Sequence, residues 1–344
     1  MGEGLVVQFH IHHRRTGVTT SIENILPELS KYYTVVWHGS NLNTNFQNLN
    51  FYELIRLIRS FNKNKTKIIV HVHRNIELIK ALLMKVFFCK FTLVATRHSS
   101  TRASWLTRFL YGLADYVIAL NKLASDNLSL ENTIIPHGLD IEKFPVVNML
   151  PSSLGIISKY TIGIVGRIRS LKGQKDLVDA VLPILQMNPD WDVIILGQAK
   201  AQDSDYIADI KSNIIRNKLD DRFHFVGEVE DPRPYYNIFD IVVVASYTEG
   251  SSMVPLEAMA TDSAVIATEN VGTNSLIVED GINGYLYPVG DINKLTERIS
   301  ILMQDPIKLS SVKKNARKSI EEKWTVEQEV VCLKRVYDMA YRNK

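Results

Sequence analysis

A chain of 344 residues, 46% apolar and 22% charged with a net charge of +3, is long enough for two globular domains and too rich in apolar residues to be disordered. Its two cysteines, Cys89 and Cys332, match no metal or redox spacing and read as reduced thiols of a cytoplasmic protein. No apolar run reaches the roughly 18 residues that span a bilayer, and the apolar start at residues 5–9 runs at once into His10, His12, His13, Arg14 and Arg15, too short and too polar for an export signal.

In chain order, apolar runs predict strands at residues 5–11, 34–38, 68–72, 92–96, 116–120 and 133–135, with helices between them at 19–31, 51–60, 76–88, 104–113 and 122–128. The alternation stops at residues 136–160, where Pro136, Gly138, Pro145, Pro151 and Gly155 mark a linker. It resumes with strands at 161–166, 192–196, 223–226, 241–245, 264–267 and 285–287, and helices at 174–187, 204–217, 253–260, 273–278 and 291–303. Helices at 307–322 and 325–342 end the chain. This order predicts an α/β protein of two domains, each a parallel sheet with helices on both faces. The expected domains are 1–145 and 146–324, with a final helical segment, 325–344, packing back toward the first domain. Ligands of open parallel sheets lie beyond the carboxyl ends of the strands, so polar residues that directly follow strands become candidates.

Charge is uneven along the chain. Residues 1–145 carry 17 Lys and Arg against 10 Asp and Glu, net +7, and the remainder carries 23 against 27, net −4. A basic first half suggests an anionic partner, whether nucleic acid, anionic lipid or a phosphorylated glycan.

After the strand at 241–245 the sequence runs Thr248-Glu249-Gly250-Ser251-Ser252-Met253-Val254-Pro255-Leu256-Glu257 into a helix. Small residues let the N–H groups of a helix start approach phosphate oxygens. Glu249 can accept hydrogen bonds from sugar hydroxyls and Glu257 from a ribose diol; the plainer alternative makes them a helix-start charge and a solvated helix residue. After the strand at 161–166, Gly166-Arg167-Ile168-Arg169-Ser170-Leu171-Lys172-Gly173 places two cations before the next helix, which suits a diphosphate leaving group. The glycines do not form the dinucleotide pattern G-x-G-x-x-G.

These segments resemble the donor-site motifs of the retaining group 1 glycosyltransferases, which have the GT-B fold of two Rossmann-like domains facing a cleft. Arg167 with Lys172, and Glu249 with Glu257, carry the resemblance. Ile135-Pro136-His137-Gly138-Leu139-Asp140 resembles the family's Pro-Asn-Gly-Val-Asp segment, with His137 for Asn and Leu139 for Val. Glu279-Asp280-Gly281 with Asn283-Gly284 resembles its C-terminal signature, and Gly272-Thr273 stands where Gly-Gly is usual. The resemblance implies that Arg167 and Lys172 bind the diphosphate and Glu249 the donor sugar. It makes Glu257 the ribose ligand, and Ser251, Ser252, Met253 and Val254, with Gly166, further donor-binding residues. His98, after the strand at 92–96, matches a histidine that touches the donor sugar and completes a catalytic set of Arg167, Lys172, Glu249 and His98.

The first loop, Arg14-Arg15-Thr16-Gly17-Val18-Thr19, is similar to that of lipopolysaccharide core mannosyltransferases. That likeness implies Gly17 near the diphosphate, Arg14, Arg15, Thr16 and Thr19 toward the acceptor, and GDP-mannose as co-substrate. Transfer is expected to retain anomeric configuration and to need neither cofactor nor metal: Asp203-Ser204-Asp205 opens a helix, where acidic residues are usual, and His10-x-His12-His13 has no accompanying Cys or carboxylate cluster. The expected acceptor is an anionic glycan or glycolipid, with no nucleic acid partner. The segments 80–90 and 102–111 mix cations with large apolar residues, which suits peripheral contact with an anionic membrane at its cytoplasmic face; packing of those apolar residues on the sheet is the alternative. The rival functions are a UDP-sugar-dependent glucosyl- or N-acetylglucosaminyltransferase, a nucleotide-sugar epimerase, and a non-catalytic glycan- or lipid-binding protein.

Overall fold

The computed structural model describes residues 4–342. By compactness the chain divides into one unit of residues 1–139 with 325–344 and a second of residues 140–324. The sequence predicts the first boundary after residue 145. Residues 140–145 fall instead in the second unit because Phe144 packs its ring against Tyr236, 6.3 Å between centroids, and the Lys143 carbonyl accepts from Arg233.

The first unit alternates strand and helix: β1 (Gly4–Ile11), α1 (Gly17–Ser30), β2 (Thr34–Ser40), α2 (Phe51–Lys63), β3 (Lys67–Val72), α3 (Asn75–Phe87), β4 (Thr92–Arg97), α4 (Trp105–Gly112), β5 (Tyr116–Ala119), α5 (Lys122–Leu128) and β6 (Thr133–Ile134). The six strands are parallel in the order β2-β1-β3-β4-β5-β6. Strands covered on both faces are apolar throughout rather than alternating. In β1, Leu5, Val7 and Phe9 enter the core beneath α2, α3 and α4, and Val6 enters the opposite core beneath α1.

The second unit contains β7 (Tyr160–Val165), α6 (Gln174–Leu185), β8 (Trp191–Leu196), α7 (Ser204–Arg216), β9 (Phe223–Gly227), α8 (Arg233–Tyr236), β10 (Ile241–Val244), α9 (Val254–Ala260), β11 (Ala264–Thr268), α10 (Asn274–Ile277), β12 (Tyr285–Tyr287), α11 (Ile292–Gln304) and α12 (Pro306–Lys323). Its strands run parallel in the order β12-β11-β10-β7-β8-β9. The four-residue α8 follows Pro232 and is too short to leave a periodic signal, so sequence reading passed over it. The chain then returns to the first unit as α13 (Val326–Arg342); residues 343–344 of the expected terminal segment lie outside the described residues. Val326, Val330, Leu333 and Tyr337 complete the core over α1. At the return Gly138 is required by packing: a Cβ there would lie 2.2 Å from the Thr325 carbonyl oxygen.

Each sheet reverses its strand order once, between β1 and β3 in the first and between β7 and β10 in the second. Loops leaving such neighbouring strands diverge to opposite faces and open a crevice at the carboxyl edge.

Candidate active site

The crevice of the second unit lies between the loops that follow β7 and β10. Lys172 ends a short 3-10 turn, Ser170–Lys172, and its ammonium forms an ion pair with Glu249 in the loop after β10. The other demand on Glu249 comes from the Ser246 hydroxyl, which donates at 2.7 Å. Gly173 ends the turn at φ +66°, and a Cβ there would lie 2.1 Å from the Ala245 carbonyl oxygen; only glycine meets both conditions. Gly272 presses on the same loop, since a Cβ at that position would sit 2.8 Å from the Cβ of Glu249.

Arg167 donates from Nη2 to Asp203 at 2.7 Å. Asp203 precedes α7 but makes no side-chain cap bond there. Its place in the sequence predicts a helix cap; it steadies the arginine instead. Glu257 in α9 accepts from the Tyr236 hydroxyl at 2.6 Å, and burial raises its carboxyl above the ordinary range. Ser252 is buried, while Ser251, Met253 and Val254 are partly exposed ahead of a helix whose second residue, Pro255, has no N–H.

Sequence reasoning missed a neighbouring cavity of about 340 Å³ at the carboxyl ends of β7, β8 and β9, lined by Arg167, Gln198, Lys200, Glu228 and Val229 among others. The signal was present as a glycine closing each strand. Gly166 has φ +135°, Gly197 +140° and Gly227 +84°, conformations that L side chains rarely adopt. A Cβ on Gly197 would lie 2.1 Å from the Gly166 carbonyl oxygen, so glycine lets the two loops touch and the cavity open between them.

In the first unit the corresponding crevice lies between the loops after β1 and β3. Thr16 caps α1, its backbone N–H donating to Thr19 Oγ1 at 3.0 Å, and Arg74 after β3 donates to the Thr16 hydroxyl at 2.9 Å. Gly17 opens the helix with nothing within 4 Å of where a Cβ would stand. Arg15 makes a two-point pair with Glu23, at 2.9 and 2.7 Å, and Arg14 is exposed. Thr19, expected on the acceptor side, is fully buried with its hydroxyl 3.0 Å from His10 Nε2. It holds the loop rather than facing a ligand.

His98 belongs to a histidine chain. Its Nε2 lies 3.0 Å from His73 Nδ1 and its Nδ1 3.4 Å from His137 Nε2. His137 Nδ1 reaches Ser21 at 2.8 Å and Glu329 of α13 at 3.1 Å. His73 Nε2 lies 2.8 Å from Gln8 Oε1. Burial is the main cause that pushes His73 and His98 well below the ordinary imidazole range, with neighbouring histidines adding to it; burial alone takes His71 to about 3. The rings are therefore neutral near pH 7, each with one N–H and one lone pair. Gln8 Oε1 can only accept, so His73 donates to it from Nε2 and takes the His98 Nε2–H at Nδ1; Glu329 accepts the Gly138 amide at 2.8 Å. Both ring nitrogens of His98 are thus engaged within the unit. Histidines at the ends of β3, β4 and β6 carried this signal, but Gln8 and Glu329 gave none. Among the described residues no group of three His, Cys, Asp or Glu is arranged to hold a metal ion.

The family model for glycosyl transferases group 1 matches residues 159–305. The solved C-terminal domain of a group 1 glycosyl transferase, LpcC from Francisella tularensis, is 30% identical, with 99% of that domain and 55% of this chain covered and a TM-score of 0.52. The chain belongs to the group 1 glycosyltransferases. Along nearly its whole length this glycosyltransferase is similar to the lipopolysaccharide core biosynthesis mannosyltransferase LpsB of Rhizobium meliloti, at 28% identity over 98% of each chain. The crystal structure of Anabaena HepE in complex with UDP superposes with a TM-score of 0.80 at 19% identity, over 98% of this chain and 100% of that one. Its two parallel six-stranded sheets with flanking helices are those of the GT-B fold.

Proposed function

We propose that this glycosyltransferase moves mannose from GDP-mannose to the core of a lipopolysaccharide at the cytoplasmic face of a membrane, with retention of anomeric configuration and without a metal. The observation that carries the reading is the convergence of Lys172, Arg167, Glu249 and Glu257 on the carboxyl edge of β7 and β10, where the second sheet reverses order. The similarity to LpsB supports the sugar and the acceptor. The net charge of +7 on residues 1–145 supports an anionic acceptor.

In this reading the cavity beside Arg167 takes the base, Glu257 the ribose, and the loop before α9 the diphosphate. Each cation meets a carboxylate, Lys172 with Glu249 and Arg167 with Asp203. A bound diphosphate draws both cations to its oxygens and leaves Glu249 to accept from sugar hydroxyls. As the bond from anomeric carbon to phosphate oxygen breaks, negative charge grows on the leaving diphosphate, and the two fixed cations stabilise it without reorganising. The acceptor hydroxyl attacks from the face the leaving group departs, and its proton passes to a phosphate oxygen.

A second reading, a UDP-sugar donor for a cell-surface glycan, is favoured by the UDP complex of HepE. A radiolabelled donor panel with isolated core acceptor separates the two. Transfer from GDP-mannose alone supports the first; transfer from a UDP-sugar with none from GDP-mannose refutes it.

A further inference from the structure

Helix α3 is apolar on two sides. Leu78, Ala81 and Met84 are buried under it, while Ile76, Ile79, Leu83, Val86 and Phe87 repeat at helical spacing on the solvent side, with Val86 74% exposed. Helix α4 is more inverted still. It buries Thr107 and Tyr111 and exposes Trp105, Leu106 and Phe109, with Trp105 at 74%. A surface helix of a globular protein turns the opposite way, polar side out. The two helices are tied together by the Asn75 amide, which donates to the Thr107 hydroxyl at 3.0 Å. Phe88, just past α3, meets Phe51 edge to face at 6.1 Å and prolongs the apolar strip.

The charges around the strip are predominantly positive. From Arg74 to Ala114 the chain has seven Lys and Arg and a single acid, Glu77. Glu77 is fully buried and accepts from the backbone amides of Ile11 at 2.9 Å and His73 at 2.8 Å, so it offers no charge to the outside. Lys85 pairs with Asp115, and Glu53 beside Phe51 accepts the Asn50 amide in the cap of α2. Lys80, Lys90, Arg102 and Arg108 take part in no ion pair among the described residues. Exposed Trp, Phe and aliphatic side chains rimmed by uncompensated cations match a lipid interface with anionic headgroups. They do not match a second copy of the chain, since a twofold contact would set the same cations against one another.

We propose that α3 and α4 form a docking surface for an anionic lipid bilayer, with Trp105, Phe109, Leu83 and Val86 entering the headgroup boundary and Lys80, Lys90, Arg102 and Arg108 meeting the headgroups. The proposal names the membrane contact of the enzyme and makes no assumption about which sugar is transferred.

The test is sedimentation of the full-length protein with vesicles of phosphatidylcholine alone and of phosphatidylcholine mixed with phosphatidylglycerol. Binding to the mixed vesicles only, weakened by high salt, is the expected result. The triple variant L83S/W105S/F109S and the charge variant K80E/K90E/R108E should each weaken that binding by about tenfold or more. Both should keep the thermal shift that a nucleoside diphosphate gives the wild type, which shows that they fold. Absence of binding to the mixed vesicles, or variants that bind as well as wild type, overturns the proposal. So does wild-type dimerisation abolished by L83S/W105S/F109S, which assigns the face to a second copy. Loss of docking with transfer to a delipidated acceptor intact would leave the enzymatic reading standing.

Discussion

The ammonium of Lys172 and the carboxylate of Glu249 are 77 residues apart in sequence and form one ion pair across the crevice between β7 and β10. Each residue holds the other in place, so the effects of substituting them should not add.

Lys172→Ala and Glu249→Ala should each lower turnover by about two orders of magnitude, the usual scale for one electrostatic partner of the transition state. The double variant should fall short of the product of the two, because residues in contact couple. Steady-state kinetics on the three proteins checks this; strict multiplicativity would mean that the pair does not act together.

Gly173→Ala should destabilise the second unit by more than about 1 kcal/mol, since alanine is strained at positive φ and its Cβ would collide with the Ala245 carbonyl. Turnover should fall as well, because the glycine ends the turn that carries Lys172. Thermal unfolding with a parallel assay tests both effects.

Gln198→Trp should fill much of the 340 Å³ cavity at the ends of β7, β8 and β9 and remove the thermal shift given by nucleoside diphosphates. Wild-type protein at 100 times the dissociation constant should gain roughly 2.7 kcal/mol. An unchanged shift in the variant would place the nucleotide elsewhere.

Acidification should weaken the first unit through its histidines. His71, His73 and His98 are all held below the ordinary value of 6.5. Below that value the unfolded chain binds protons that the folded chain refuses, so stability is fully present above it and declines as pH falls toward the folded values. Each histidine contributes a limiting slope of about 1.4 kcal/mol per pH unit. Buried Glu77, raised above its ordinary value of 4.5 by burial, acts in the opposite sense as pH falls through its folded value toward 4.5. Melting temperatures across this range check the sign, and H73Q should flatten the dependence.

Turnover should be unaffected by EDTA. Loss of activity in chelator, restored by manganese, would return Asp203 and Asp205 to consideration as ligands and give Arg167 a different partner.

The elements were legible in the sequence because parallel strands buried on both faces are short apolar runs, as in Ile241–Val244, and the helices between them keep their period. Arg167, Lys172, Glu249 and Glu257 were legible because they directly follow strands or open helices. What could not be read was pairing across long separations. Asp203 looks like a helix cap until Arg167 is seen beside it, and Thr19 looks like a loop hydroxyl until His10 is found behind it. In the segment 80–90 the mix of cations and apolar residues is legible, but not which of the apolar side chains of α3 the sheet covers, since a helix apolar all round gives no sign of it.

The second unit interrupts the first in the chain, and this sets an order of events during synthesis. The sheet of residues 1–139 lacks α13 until the intervening residues 140–324 have been made. At roughly 5–20 residues per second that wait is on the order of ten to forty seconds. Throughout it the apolar side of α1, with Ile22, Ile25 and Leu26 that later pack with Val330 and Leu333, has no helix over it. The inserted unit, continuous in sequence and carrying its own core, can fold first. A nascent chain stalled before residue 325 would therefore present an aggregation-prone first half attached to a finished second half, which makes the last helix the step that commits the whole enzyme to solubility.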